Sequence, residues 1–115
     1  MRIAYLGLDE VNRYLVRKWA RRGGAGLRPL NVRCGSLPAG IPALVFDSDS
    51  LPEPHRHRWL GRVASPPAAP ALVFGHTLSD REAAELIGSG VVVVRRVLRR
   101  RRFHCWLESE VLCSA

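Results

Sequence analysis

A-L-V-F-D-S-D-S-L-P, residues 43–52, is the stretch that decides the fold. Four apolar residues bounded by Pro42 and by an Asp/Ser cluster form the pattern of a strand covered on both faces, as in the middle of a parallel sheet. Asp47 and Asp49 then fall at its carboxyl end. In open α/β sheets that edge collects ligands and chemistry, because the loops leaving the strands enclose a crevice above it.

Working outward, residues 2–6 (R-I-A-Y-L) form a first strand that Gly7 ends. Asp9 and Glu10 open a helix running to about Arg22, with negative charge at the positive end of its macrodipole. Val11, Leu15 and Trp19, with Tyr14 beside them, predict its apolar face, and Gly23 and Gly24 stop it. Residues 27–33 suggest a second strand that Pro29 confines to an edge. Residues 34–41 hold two glycines and a proline and do not suit a helix.

Beyond the central stretch, a helix beginning at Pro52 or Pro54 and ending near Gly61 is followed by the stiff loop S-P-P-A-A-P, residues 65–70. The bare apolar run at 71–74 is a further strand. Ser79 and Glu82 make a capping box, and Ala83, Ala84, Leu86 and Ile87 are the expected buried side of the helix that follows. The four valines at 91–94 are the strongest strand signal, expected to be doubly covered. Phe103, Leu107 and Val111, with Trp106 and Leu112 alongside, mark a final amphipathic helix. The order β-α-β-β-α-β-α-β-α predicts a three-layer α/β/α sandwich around a mostly parallel five-stranded sheet. The link between the second and third strands is too short for a full crossover helix, so the second helix is expected to be missing or reduced.

The length suits one domain spanning 1–115. No apolar run is long enough to cross a bilayer, and the first residues lack a signal-peptide pattern, so the expected location is the cytoplasm. Cys34, Cys105 and Cys113 are an odd number at unrelated spacings, which suits buried reduced thiols. The net charge of +8 favours polyanionic partners. Lys18 is the only lysine, however, and an arginine bias of this kind arises from coding composition without selection for binding.

The chain resembles, over nearly its whole length, the receiver domain of bacterial two-component response regulators. L-G-L-D-E-V-N-R-Y-L at 6–15 is similar to the family's V-D-D-x-x-x-N-R pattern, and L-V-F-D-S-D-S-L-P to its strand, phospho-accepting Asp and later Met-Pro or Leu-Pro. V-V-V-V-R-R falls where the family has Lys-Pro. The resemblance implies a flavodoxin-like five-stranded sheet, an acidic metal-binding cluster after the first strand, a hydroxyl residue after the fourth and a lysine after the fifth.

The chemistry departs from that pattern. Aligning Asn12 and Arg13 puts Gly7 and Leu8 where two metal-binding acids belong. Counting back from Leu51 and Pro52 puts Ser48 at the phospho-acceptor position, between Asp47 and Asp49. Gly75 or His76 replaces the hydroxyl residue, with Thr77 close by, and Arg95 or Arg96 replaces the lysine, for which a guanidinium is no equivalent. A site rebuilt in a shifted register would draw on Asp9, Glu10, Asp47 and Asp49, and only then would Mg²⁺ be required. The expectation is a degenerate, non-enzymatic receiver without a cofactor, acting by protein–protein contact with a signalling protein or a second copy.

Arg95, Arg96, Arg99, Arg100, Arg101 and Arg102 suit either a docking patch or a solvated first helical turn. As a docking face, Arg96, Arg99, Arg100 and Trp106 are the expected partner contacts. The alternative partner is a nucleic acid on the same residues, with Trp106 or Phe103 stacking on bases. Asp9 and Asn12 occupy the second and third glycine places of a dinucleotide-binding turn, which argues against that activity. His55, His57 and Cys34, or His104 and Cys105, lack the paired spacing of a zinc site, and no spacing supports nucleophilic catalysis.

Overall fold

A computed structural model describes residues 1–34, 37–65 and 69–113. Strand β1 (Arg2–Leu6) leads into helix α1 (Glu10–Arg22), β2 (Gly26–Pro29), β3 (Leu44–Asp47), α2 (His55–Val63), β4 (Ala71–Phe74), α3 (Asp80–Gly88), β5 (Val92–Val94) and α4 (Arg100–Trp106). The last helix continues as a π-helical turn, Leu107–Leu112. The five strands are all parallel in the order β2-β1-β3-β4-β5. This is the flavodoxin-like order, which places β3 at the centre and reverses direction at β1/β3, above which a crevice opens.

Two apolar clusters, one on each face of the sheet, explain the pattern of the strands. Ile3, Tyr5, Val45, Leu72 and Phe74 pack under α1 and α4 with Trp19, Phe103 and Trp106. Ala4, Leu6, Leu44, Phe46 and Val73 pack under α2 and α3 with Trp59, Leu60 and Leu86. All four β3 residues are buried, as a central strand requires. The β2–β3 link carries one 3-10 turn, Val32–Cys34, and no α-helix among the described residues. The reduced second crossover is thereby borne out.

Several expectations change. β2 ends at Pro29, on the predicted edge, and runs parallel to β1. The valine strand β5 is the opposite edge, and Val92 and Val93 are only half-buried. In α1 the covered residues are Val16, Trp19 and Ala20, whereas Val11 and Tyr14 are exposed. The periodicity marks a stripe but not its edges, and α4 covers the helix from the Trp19 side, where His104 meets the Trp19 carbonyl oxygen. In α3, Ala83 and Leu86 are buried while Ala84 and Ile87 are exposed. Leu112 is exposed as well. Cys105 and Cys113 are free and exposed rather than buried. The side chain of Cys34, residues 35–36 of the irregular stretch and residues 66–68 of the proline loop lie outside the described residues.

Candidate functional site

The crevice at the carboxyl ends of β1, β3 and β4 holds about 210 Å³ and is lined by Asp9, Asn12, Asp47, Asp49, Ser50, Gly75, His76 and Arg96, among others. Its floor is set by strand register, which pairs Phe46 with Leu6 and Asp47 with Phe74. Asp47, the last residue of β3, is 2% exposed. One carboxylate oxygen, Oδ2, accepts from the Asn12 side-chain amide at 3.0 Å. Asp9 caps α1 beside it, accepting the Asn12 backbone N–H at 2.9 Å. Burial raises the pKa of Asp47, and the nearby charges of Asp9 and Asp49 add to the rise that the Asn12 hydrogen bond opposes. Beneath it the Tyr5 hydroxyl is buried without a hydrogen-bond partner among the described residues, its pKa driven up by burial and then by the Asp47 charge.

Two residues on, Asp49 sits in the opposite setting. Its Oδ2 accepts the His76 N–H at 2.6 Å, and its Oδ1 accepts the Thr77 N–H at 3.0 Å and the Thr77 hydroxyl at 2.5 Å. Partial burial raises its pKa, but these three hydrogen bonds more than reverse the effect and lower it. Asp49 thus ties the end of β3 to the loop between β4 and α3. That loop is held from two further sides. Arg56 on α2 reaches the Thr77 carbonyl and grips both oxygens of Glu82 at 2.9 and 3.0 Å, which lowers Glu82 to about 2. Arg95 donates to Asp80 at 2.6 Å and to the Leu78 carbonyl at 2.7 Å. The predicted capping box of Ser79 and Glu82 is present.

Two glycines define the remaining space. A Cβ at Gly7 would come 2.9 Å from Asp47 Cβ and 3.0 Å from Ser50 Oγ. Ser50 fills that corner by accepting the Leu8 N–H and donating to the Asp47 carbonyl. A Cβ at Gly75 would run into Ser48 Oγ and lie 2.7 Å from Asp49 Oδ1.

The structure therefore brings Asp9, Asp47, Asp49 and Arg96 to one crevice with Thr77 at its rim, and separates the other expected residues. Glu10 stays in the exposed first turn of α1, outside the crevice lining, so the expected cluster of Asp9, Glu10 and Asp47 does not form. Ser48 is fully buried and donates to the Phe74 carbonyl, which withdraws it from the acceptor role that counting assigned. Arg95 is turned away onto α3, leaving Arg96 as the cation over the crevice. Trp106 is only 3% exposed and Phe103 is fully buried, so neither can dock a partner or stack on a base. Both rings belong to the core under α4. Arg96, Arg99 and Arg102 are exposed and line an adjoining groove of about 330 Å³ with Val93 and Val97. Arg100 is exposed in the first turn of α4 but outside that groove. Sequence reading missed the side-chain roles of Asn12, Ser50 and Tyr5. The only available signal was the i, i+3 spacing of Asp9 and Asn12.

The donor set does not fit Mg²⁺. Among the described residues no three Asp, Glu, His or Cys side chains converge as metal ligands. Asp47 is buried and bonded to Asn12, and Asp49 already accepts three hydrogen bonds, which leaves few free carboxylate lone pairs for a cation that needs several charged oxygens in octahedral array.

Comparison with solved structures places this geometry. The fold is that of a receiver domain. The non-phosphorylated HemR receiver domain from Leptospira biflexa superposes with a TM-score of 0.76 at 15% identity, over 96% of this chain and 93% of its own. A response regulator receiver protein from Pseudoalteromonas atlantica gives 0.78 at 6% identity, with both chains covered completely. The beryllofluoride-activated NtrC4 receiver domain dimer gives 0.75 at 14% identity, over 99% of this chain and 98% of that one. No protein-family model matches the sequence, and no curated protein matches it. The receiver fold is thus shared where sequence likeness is nearly gone. Among the described residues no helix is long and apolar enough to cross a membrane.

Proposed function

We propose that this chain is a receiver-fold signalling module that works by protein–protein contact and takes no phosphoryl group. The observation that carries the reading is the pair of glycines at the crevice. At Gly7, aligned with a metal-binding acid of the receiver pattern, and at Gly75, which with His76 is one of the two residues aligned with the hydroxyl position, even a methyl group would collide with neighbouring side chains. The crevice is packed around those absences, so neither an acid at position 7 nor a hydroxyl side chain at position 75 has space. Asp47 is buried at the end of β3 and bonded to Asn12, and that burial raises its pKa, which suits a structural acid better than an accessible nucleophile.

In this reading the contact face is the start of α4 with the end of β5, where Arg96, Arg99 and Arg100 stand exposed. A regulatory protein with an acidic surface fits it. A second copy is the other candidate, since the NtrC4 receiver of the same fold is a dimer in its activated form.

The test is intact-mass spectrometry after incubation with Mg²⁺ and acetyl phosphate. The expected result is an unchanged mass for the folded protein. A base-labile phosphate adduct that disappears in Asp47→Asn or Asp49→Asn would overturn the proposal and make the chain a working phospho-acceptor with a relocated site. Charge reversal at Arg96, Arg99 and Arg100 together should abolish binding to a partner or self-association, as read by analytical ultracentrifugation. Unchanged association would remove this face from the proposal.

A further inference from the structure

The two outer layers of the sandwich carry charge very differently. Around α2 and α3, Arg33, Arg56, Arg58, Arg62 and Arg81 stand with Glu53, Asp80, Glu82 and Glu85, and Arg95 reaches Asp80 from the end of β5. Ion pairs join many of them, with Arg56 bound to Glu53 and Glu82 and Arg81 to Glu85. On the other side of the sheet, the layer of α1 and α4 carries Arg99, Arg100, Arg101, Arg102, Glu108 and Glu110 on α4 and its continuation, while α1 itself holds Arg13, Arg17, Lys18, Arg21 and Arg22 against Glu10 alone. Coding bias acts on the whole chain alike and would not segregate its cations from its acids in this way.

Within α1, Arg17, Lys18, Arg21 and Arg22 are exposed, and among the described residues none has an ion-pair partner. They continue two lines along the helix, Arg13, Arg17 and Arg21 in one and Tyr14, Lys18 and Arg22 in the other. Successive members of each line are about 6 Å apart along the axis. Together with Tyr14, which is 61% exposed, they line a groove of about 380 Å³. Leu8 and Val11 lie nearer the crevice end, and no aliphatic side chain is in the groove's lining.

We infer that this face of α1 binds the phosphodiester backbone of a single-stranded nucleic acid, with Tyr14 offering one surface for base stacking. Cations in file beside an exposed ring are what a sequence-tolerant single-strand site requires. A protein interface of similar extent would need an apolar core from which charges, lysine above all, are depleted. The site is separate from the α4 contact face, and its case stands whether or not that face is used.

Fluorescence anisotropy with a fluorescein-labelled oligothymidylate and the full chain tests it. Four phosphate contacts predict affinity falling by about 50-fold between about 50 and 200 mM salt. The variant Arg17→Gln/Lys18→Gln/Arg21→Gln/Arg22→Gln should bind at least about tenfold more weakly, the loss of several phosphate contacts. Arg33→Gln/Arg58→Gln/Arg62→Gln/Arg81→Gln removes the same charge from the opposite layer and should retain most of the affinity. Tyr14→Ala should cost about fivefold or more, the lower end of base stacking. The milder Lys18→Gln/Arg22→Gln should give an intermediate loss, and circular dichroism identifies any variant that has not folded. Absence of binding at low salt overturns the proposal, as does an equal loss in both quadruple variants. Competition by polyglutamate as effective, charge for charge, as that by unlabelled oligothymidylate would overturn it in favour of an acidic protein surface.

Discussion

Asp47 is the last residue of β3 and Asp49 lies in the 3-10 turn that follows it, and their surroundings push them in opposite directions. Asp47 lies on the β1 side of the crevice, buried and bonded by one amide, with its proton affinity raised. Asp49 lies on the β4 side, where one loop turns two N–H groups and a hydroxyl onto it, and its proton affinity is lowered. Residue type is shared and the two lie within one short turn of each other, so much of the difference comes from what each neighbouring element supplies. The β4–α3 loop supplies donors. The β1–α1 loop supplies Gly7 and the Asp9 cap, and the first turn of α1 a single Asn12 amide. An acid at a strand end is therefore not by itself a nucleophile. One of this pair is a structural tether, and the other is buried cargo.

The largest effect that would break this contrast is expected at Gly75. Gly75→Ala forces a methyl group against Ser48 Oγ and Asp49, and overpacking of this kind costs about 1–3 kcal/mol. Urea denaturation should show a lower midpoint at unchanged slope. Adding Ser48→Gly should restore part of the loss, because the two substitutions meet in one space and are not additive. If the single variant were as stable as the parent, the loop would have room to yield, and the steric case against a hydroxyl there would fail.

Asp49→Ala comes next, at about 1–2 kcal/mol. It removes three hydrogen bonds to an ionised group but leaves their donors open to water, which limits the penalty. Asp47→Asn should be the smallest change and of opposite sign at neutral pH, neutral to about 1 kcal/mol stabilising, because it removes a charge whose burial is unfavourable. A larger loss in Asp47→Asn than in Asp49→Ala would reverse the roles assigned to the two acids.

Their pH dependences sharpen the same comparison. The raised pKa of Asp47 means that the folded state holds its proton more tightly than the unfolded state does. Its contribution is therefore most favourable in acid and is lost as pH rises from the ordinary carboxylate range through its raised value. Asp49 and Glu82 behave in the opposite sense. Their stabilisation is complete above the ordinary carboxylate range and is lost as pH falls through the lowered values, about 2 for Glu82. In pH-dependent thermal melts Asp47→Asn should gain stability relative to the parent as pH rises above about 4. Glu82→Gln should flatten the acid limb. Parallel curves for Asp47→Asn and the parent would show that Asp47 titrates as a solvated carboxylate.

Much of the fold was legible because its signals are local. The apolar runs at 43–46 and 71–74, the capping box at Ser79 and Glu82, and Pro29 on an edge strand each state their structure within a few residues. The site was less legible. Ser48 was placed by counting from Pro52, and the structure buries it against the Phe74 carbonyl, 26 residues away in the chain. Asp49 read as an acid available to a site in a shifted register, and Thr77, 28 residues on, folds over it. Trp106 looked like a docking residue because an amphipathic pattern does not say how deep its flank will sit, and packing against Phe103 and Trp19 closed over it.

The amino-acid sequence by itself determined the element order, the central position of the β3 strand, the shortened second crossover and the glycines at positions 7 and 75. All of these follow from periodicity, turn chemistry and residue size within short windows. Tertiary structure alone decided which aspartate is tied and which is buried, which side of α1 is covered, and that the cations of α1 stand without ion pairs among the described residues while Arg56 and Arg81 on the opposite layer are paired. Those outcomes depend on distances between residues far apart in the chain, which are set only when β-strand register and helix packing bring the loops over one another.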